Sequence, residues 1–455
     1  KRLETAEKYC INALEMDSEN IQALVTHARI AHNQGDYFLA EKRWEIVLEK
    51  QPTHYSAIMG IARACFKRGD FVDGEEIINR LISDDQHKHR IWPYIELINL
   101  TFNQLKDYEY TVRTCHLLFE NVGEDISNHR DIEHIPICHL ALSLSKIGKS
   151  KEAIDLLNTY LLEHPDKSEY WLALSQIYRE RNESNIAFNN FNNLFSDFND
   201  ELCDFKSIGN NLEISVQNLV REGGENIETG PLVSVIMTAY KATELIEVAI
   251  NSILNQTFRN IELIVVDDAS PDDTFQHISN LAKLDSRILP IKLESNGGTY
   301  IAKNHGLLHA KGKYVAFHDS DDWCHPDKIR IQVERLEENK NLQGVTTGYV
   351  RVDENSNIIY RGKGAIRHAC ISLMFRRKEV IDKLGYFDSV RVSADSEFER
   401  RIHTVFGKET VEHIHLPFII ASVSSESLSG GGKFAMDWTG LSGARLEYRR
   451  CFELF

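Results

Sequence analysis

The sequence predicts two units of different fold class: an α-helical solenoid over residues 1–200, then an α/β unit on a Rossmann-like, mostly parallel sheet over residues 231–430. Three observations carry that prediction. Small residues and turn formers recur at a 34-residue interval in the first two hundred positions. After Pro231 the pattern changes to short apolar strands alternating with helices, the signature of a sheet covered on both faces. In that second half the polar residues gather where the strands end.

Gly35 in "HNQGDYFLAEK" and Gly69 in "FKRGDFVDGEE" lie 34 apart, and Gly148 in "KIGKSKEAID" and Asn182 in "RERNESNIAF" repeat the interval. Seven residues before each stands a small residue: Ala28, Ala62, Ala141 and Ser175. Five residues after come Ala40, Gly74, Ala153 and Ala187, with Ala6 at the front of the series. Pro52 and Pro165 fall where helices should stop. Small residues at two fixed places per repeat let the helices of a pair, and neighbouring pairs, approach closely. The pattern resembles the tetratricopeptide repeat, as four partly regular units and a leading helix, with an irregular unit near "NQLKDYEY" where the spacing stretches. Such solenoids take a peptide or partner protein in their concave face, and a helical spacer or dimerisation arm is the alternative.

Residues 201–230 read as a linking helix and then a loop ending at Gly230 and Pro231. Beyond it, "VSVIMTAY", "IELIVVDDAS", "ILPIKLES" and "YVAFHDSDD" read as strands. "ATELIEVAINSILNQ", "DDTFQHISNLAK", "TYIAKNHGLLHA" and "PDKIRIQVERLEEN" are the helices between and after them. Residues 431–455 read as a glycine-rich segment and a closing helix.

A chain of 455 residues exceeds what one core usually organises. A net charge of −16 argues against nucleic acid or an anionic membrane surface as the main partner, although "RRKEVIDK" and "RLEYRR" are locally basic. The eight cysteines stand singly with no Cys-x-x-Cys pair, which fits reduced thiols in the cytoplasm rather than a zinc cluster or a disulfide scaffold. No apolar run reaches the ~20 residues that span a bilayer, so the expectation is a cytoplasmic protein with peripheral association at the inner membrane face left open. The chain starts at Lys1 and stops at Phe455 inside a helix-like pattern, which fits a piece of a longer protein.

The strands end in Thr238 and Tyr240, in Asp267 and Asp268, in Asn296, Gly297 and Gly298, and in Asp319, Asp321 and Asp322. Collection on one edge points to a shared site. Carboxylates as close as those of "HDSDDW" repel one another and are costly to desolvate unless a cation neutralises them. A metal is one answer; a solvated acidic turn is the other.

The stretch "PLVSVIMTAYKATELIEVAINSILNQTFRNIELIVVDDASPDDT", followed by "NGGTYIAKNHGLLHAKGKYVAFHDSDDW", resembles the catalytic domain of the inverting family-2 glycosyltransferases of GT-A fold, over about residues 231–400. The resemblance implies a nucleotide-sugar donor, a divalent metal (Mn²⁺ or Mg²⁺) and transfer to a hydroxyl of a glycan or glycoconjugate acceptor, in bacterial surface polysaccharide synthesis. It puts Thr238 and Tyr240 on the base, and Asp268 on the imide N–H of a uracil or guanine. Asp322 becomes the direct metal ligand, with Asp321 and Asp319 on the ribose or around the ion. Loop packing is the alternative for Tyr240, and a turn or cap role for Asp268, with Asp267 as its structural partner.

"GYFDSVRVSADSEFERRI" resembles the family segment that supplies the base, and the match falls on Asp395, with Glu397 in reserve. An N-cap is the alternative for Asp395. Lys303, where an arginine is commoner, would pair with the diphosphate unless it is an exposed helix lysine. His318 stands where the family has an apolar residue and reads as structural, as do His413 and His415, for which a further metal-ligand role is the alternative. Gly430–Gly432 and Trp438 read as a lid hinge with a sugar-stacking ring, or as a plain linker. Competing readings are a nucleotidyl- or sugar-phosphate transferase, which would not need Asp395, and a scaffold that binds nucleotide without catalysis. Because the site lies within 231–400, a fragment from about Asn226 is expected to bind nucleotide without the solenoid.

Overall fold

The computed structural model describes residues 2–123, 132, 134–195, 202, 204–207, 214–360, 364–423 and 443–453. From Arg2–Met16 to Ser184–Asn193, consecutive helices pack on one another as an N-terminal helical repeat array. The predicted turn positions Gly35, Gly69, Gly148 and Asn182 all take the left-handed conformation, at φ of 72°, 89°, 83° and 61°. At Gly35 that geometry turns the N–H back onto the carbonyls of Ala31 and His32 and so closes helix Ile21–Gln34. The small residues do what the interval implies: Ala28, Ala40, Ala62, Ala141, Ala153 and Ser175 are fully buried, and a Cβ at Gly74 would lie 2.4 Å from the Phe66 ring. The irregular unit has a feature of its own. Thr101–Leu105 forms a π-helical turn, in which the Thr101 hydroxyl donates to the Leu97 carbonyl at 2.9 Å.

The second half is an α/β unit around an eight-stranded sheet, with strands β3 (Val233–Ala239), β4 (Ile261–Asp267), β5 (Ile288–Lys292), β6 (Tyr314–Asp319), β7 (Asp322–Cys324), β8 (Gly344–Asp353), β9 (Arg367–Arg376) and β10 (Val411–Val423). Their order is β5-β4-β3-β6-β9-β8-β10-β7. The four predicted strands form the parallel half. β9 then runs antiparallel to both β6 and β8, β8 and β10 are parallel, and β7 closes the edge antiparallel to β10.

Where the sequence leads one to expect a linking helix, strands β1 (Asp204–Ser207) and β2 (Leu219–Glu222) form an antiparallel pair. The reason is Phe205. Its ring sits 5.1–5.9 Å from those of Phe188, Phe191, Phe195 and Trp323, so alternate residues of "DFKS" face the core.

The solenoid and the sheet share one apolar core, in which Tyr170, Ile177 and Phe191 join Val352, Ile358, Tyr360 and Phe418. Polar contacts reinforce it. The buried Glu169 carboxylate accepts the N–H groups of Ala365 (3.1 Å) and Ile366 (2.9 Å); Gln176 accepts from the Ile358 N–H at 3.0 Å, and Arg179 donates to the Asn355 carbonyl at 2.7 Å. The expectation of a separable catalytic fragment runs against this seam: cutting near Asn226 would expose the apolar face around Ile358 and Phe418 and remove the side-chain acceptors of three N–H groups, those of Ile358, Ala365 and Ile366.

Burial pushes the Glu169 carboxyl up to about 7, against the opposing pull of its two N–H partners and of Arg367. The folded state therefore holds that proton more tightly than the unfolded chain, so this contribution is fully present below the ordinary 4.5 and is lost as pH rises through about 7. Relative to the parent, Glu169→Gln is expected to gain about 1–3 kcal/mol of stability between about pH 5 and pH 8. Thermal unfolding at both pH values checks this, and a difference that stays constant with pH would refute it.

Candidate active site

Parallel pairing brings the predicted polar residues to one edge. Thr238 stands opposite Val266 on one side and Asp319 on the other, and Ala239 opposite Asp267. The Thr238 and Thr299 hydroxyls are 2.9 Å apart, which fastens the end of β3 to the start of helix Thr299–His309. Tyr240 is 46% exposed just beyond β3, an aromatic face available for stacking.

The two aspartates after β4 divide their work. Asp267 is fully buried and accepts the Ser270 N–H at 3.2 Å, bracing the turn in which Ala269 adopts a φ of 57°. Asp268 accepts the N–H groups of Gly297 (2.8 Å) and Gly298 (2.7 Å), one on each oxygen. It thus organises the "NGG" loop, with lone pairs left over, since a carboxylate offers about four. Arg391 grips the same loop through the side-chain and backbone oxygens of Asn296, at 2.5 and 3.1 Å.

At the end of β6 the chain turns through Ser320 and Asp321 into β7, whose Asp322 sits opposite Ala421 of β10. The Asp322 carboxylate accepts the Ser422 N–H at 3.2 Å. His318, fully buried, lies with Nε2 3.1 Å from the Asp322 carbonyl, and burial holds its ring neutral, down to about 3. It is the structural histidine the sequence leads one to expect, donating to the backbone of the acidic turn. Burial, and then the neighbouring carboxylates, push Asp321 and Asp322 well above the usual range, while Arg351 on β8 pulls both down.

Lys303 is not an exposed helix lysine. It is 3% exposed, with Nζ 3.8 Å from Asp319 and over the rings of Tyr300 (5.2 Å) and Phe317 (5.6 Å). Buried Asp322 and half-buried Asp321, both raised above the usual carboxylate range, offer the hard oxygen donors that suit a divalent cation such as Mg²⁺ or Mn²⁺.

Asp395 opens helix Ala394–Phe406, just after Ser393 in the left-handed region at φ 63°. Its Oδ1 accepts the Tyr300 hydroxyl at 2.9 Å and the Ser396 N–H at 2.8 Å. Burial, and then the Asp395 charge, keep the Tyr300 phenol protonated, so it is a fixed donor. Asp319, Lys303, Tyr300 and Asp395 form one chain of contacts. Glu397 instead accepts from Arg401 at 2.8 Å and is committed to that ion pair.

His413 does not reach this place. It pairs with Thr346, five positions along β8 from Arg351, the partner of Ala421, or about 16 Å at the usual strand rise. Gly430–Gly432 and Trp438 lie outside the described residues. Three site residues escaped the sequence reading. Tyr300 lies one helical turn before Lys303, a spacing that puts both on one face. Arg351 lies in a strand that the sequence left unassigned. Arg445, in the basic "RLEYRR" of helix Gly443–Glu453, is close enough for the charges of Tyr300, Asp395 and Arg351 to act on it.

Residues 234–396 match the model of glycosyl transferase family 2, and residues 25–88 that of a tetratricopeptide repeat. TuaG of Bacillus subtilis, provisionally named a teichuronic acid biosynthesis glycosyltransferase, is 44% identical over 119 residues, covering 26% of this chain and 47% of TuaG. WfaP of Escherichia coli, named UDP-Glc:alpha-D-GlcNAc-diphosphoundecaprenol beta-1,3-glucosyltransferase, is 40% identical over 122 residues, covering 27% of this chain and 48% of WfaP. The chain thus spans about half the length of the curated relatives it matches. Among solved structures, S. aureus TarS (residues 1–349, in complex with UDP) aligns at 22% identity and a TM-score of 0.36, over 43% of this chain and 61% of that one. The family 2 match thus falls on the segment that carries the strand-end site, and the tetratricopeptide match on the N-terminal helical array.

Proposed function

We propose that the protein is a metal-dependent, inverting glycosyltransferase that moves a sugar from a nucleotide-sugar, UDP-linked by preference, to a hydroxyl of a glycan or glycoconjugate. The observation that carries this reading is the chain of contacts from the strand-end carboxylates through Lys303 and Tyr300 to Asp395. It couples a cation-fitting diphosphate site to a carboxylate suited to take a proton. In this reading Tyr240 stacks on the base, Thr238 lines its pocket and a spare lone pair of Asp268 accepts the imide N–H. Asp322 holds the cation directly, while Asp321 and Asp319 face the ribose or surround the ion, which when bound stabilises the charge on the departing diphosphate.

The acceptor hydroxyl gives its proton to Asp395 as its oxygen bonds to the anomeric carbon from the face opposite the diphosphate, so the configuration inverts. Tyr300 orients that carboxylate. Lys303 and Arg351, beside the strand-end carboxylates, supply positive charge on the side where the diphosphate leaves. The cytoplasm is the setting this reading carries, with the inner membrane face as the place of work if the acceptor is lipid-linked, as the name of WfaP implies for that enzyme. The solenoid then serves a protein partner of the same assembly, in bacterial surface polysaccharide synthesis. A nucleotidyl- or sugar-phosphate transferase has no use for Asp395 and its Tyr300 partner, and a nucleotide-binding scaffold none for the whole array.

A donor-hydrolysis screen across UDP-, GDP- and CMP-sugars, with Mn²⁺, with Mg²⁺ and with chelator, tests the reading. Turnover of a UDP-sugar that chelator abolishes is expected; turnover indifferent to chelator would overturn the metal assignment. Once an acceptor is in hand, Asp395→Asn should keep donor affinity while transfer falls by about 10²-fold or more, and Tyr300→Phe should lose about tenfold with the same affinity. Transfer at the parental rate in Asp395→Asn would move the base elsewhere.

A further inference from the structure

Behind the helix that carries Asp395 lies a cluster the proposed reaction does not use. His368 and Cys370, two residues apart on β9, meet Glu399 from helix Ala394–Phe406, and one ligand atom of each lies within 4.8 Å of the others. His368 Nε2 is 2.9 Å from Glu399 Oε2, and His368 Nδ1 is 3.0 Å from His413 Nδ1. Cys370 Sγ is 3.3 Å from the Ser396 hydroxyl. His403 Nε2 stands 3.5 Å from the other oxygen of Glu399.

We propose that His368 Nε2, Cys370 Sγ and Glu399 Oε2 form a second metal site, for a borderline ion of the zinc class, one helical turn from Asp395. The donor set is the argument. Imidazole, thiolate and carboxylate together suit Zn²⁺ and do not suit the hard cation at the strand ends. Without an ion the His368 Nε2–H donates to the Glu399 carboxylate; an ion at Nε2 replaces that proton, and the ring then carries its hydrogen at Nδ1 and donates to His413, 3.0 Å away, the pattern of a metal-bound histidine oriented by an outer partner. A tetrahedral ion with bonds of about 2.0–2.3 Å holds its ligands about 3.3–3.8 Å apart, so the set closes by small side-chain movements. On binding, Cys370 loses its thiol proton to solvent, the sulfur–metal bond forms, and a water or Ser396 completes the shell. Glu399 and Asp395 are four residues apart on one helix face, so the ion would pin to β9 the helix that presents the proposed base. Only this last consequence rests on the glycosyltransferase reading; the site itself does not.

The full-length chain, stripped with chelator and titrated with Co²⁺, tests the site through the thiolate-to-cobalt charge-transfer absorption. One equivalent is expected to produce the band, Zn²⁺ to quench it and excess Mg²⁺ to leave it. Cys370→Ser and His368→Ala should abolish it, Asp322→Asn should retain it, and His413→Ala should weaken affinity by about 10–100-fold. Zn²⁺ should also protect Cys370 from alkylation in the parent chain, read by mass spectrometry, which requires no folded variant. No band in the parent, a band unchanged in Cys370→Ser, or alkylation of Cys370 unaffected by Zn²⁺ would overturn the proposal.

Discussion

The α/β half of the molecule is arranged around an electrostatic debt. Asp319, Asp321 and Asp322 crowd together at the end of a buried strand, and burial with mutual repulsion drives the latter two toward protonation. Carboxylates left this way destabilise a fold unless their charge is met. The surrounding structure meets part of it: Lys303 stands 3.8 Å from Asp319, the Ser422 N–H donates to Asp322, and the Arg351 charge acts on both Asp321 and Asp322. What remains suits a divalent cation bringing a diphosphate. The sheet order explains how the debt is tolerated, since β7 fixes Asp322 against β10 rather than leaving it on a mobile turn.

The same economy runs through the neighbouring loops. One carboxylate, Asp268, satisfies two successive N–H groups of the glycine loop, and Arg391 holds that loop from the other side. Gly298 adopts a φ of 94°, and a Cβ there would lie 2.9 Å from the Arg391 side chain, so the close approach depends on glycine. The helical repeats contribute more than a tether. Their last helices complete the apolar core beneath β8 and β10, and Glu169 and Gln176 satisfy backbone N–H groups of the segment between β8 and β9. The rigidity of the sheet edge that carries Arg351 therefore depends in part on the solenoid.

Much of this was legible in the sequence. The 34-residue interval located the left-handed turns and the buried alanines because a repeat packs the same way each time it recurs. The four parallel strands were legible as near-continuous apolar runs, and their polar ends marked the edge where Thr238, Asp268 and Asp319 meet. What was not legible depends on partners remote in the chain. β1 and β2 are strands because Phe205 packs against aromatics from the solenoid and from Trp323, which no local pattern reveals. β8 and β9 alternate too irregularly, through a register shift between Val345 and Thr347, to announce themselves. Helical spacing alone left Lys303 open between a diphosphate partner and an exposed lysine, and its burial is set by the rings around it; Tyr300 came into view only through Asp395, 95 residues away and 2.9 Å distant.

The central claim is that the strand-end carboxylates exist to hold a cation together with a nucleotide diphosphate. Electron paramagnetic resonance of Mn²⁺ tests it most directly, because free and bound ion are read separately. With UDP present, the parent chain should sequester one equivalent of Mn²⁺, Asp322→Asn should leave the ion free, and Asp395→Asn should bind it as the parent does. Sequestration that is equal in the parent and in Asp322→Asn would contradict the account.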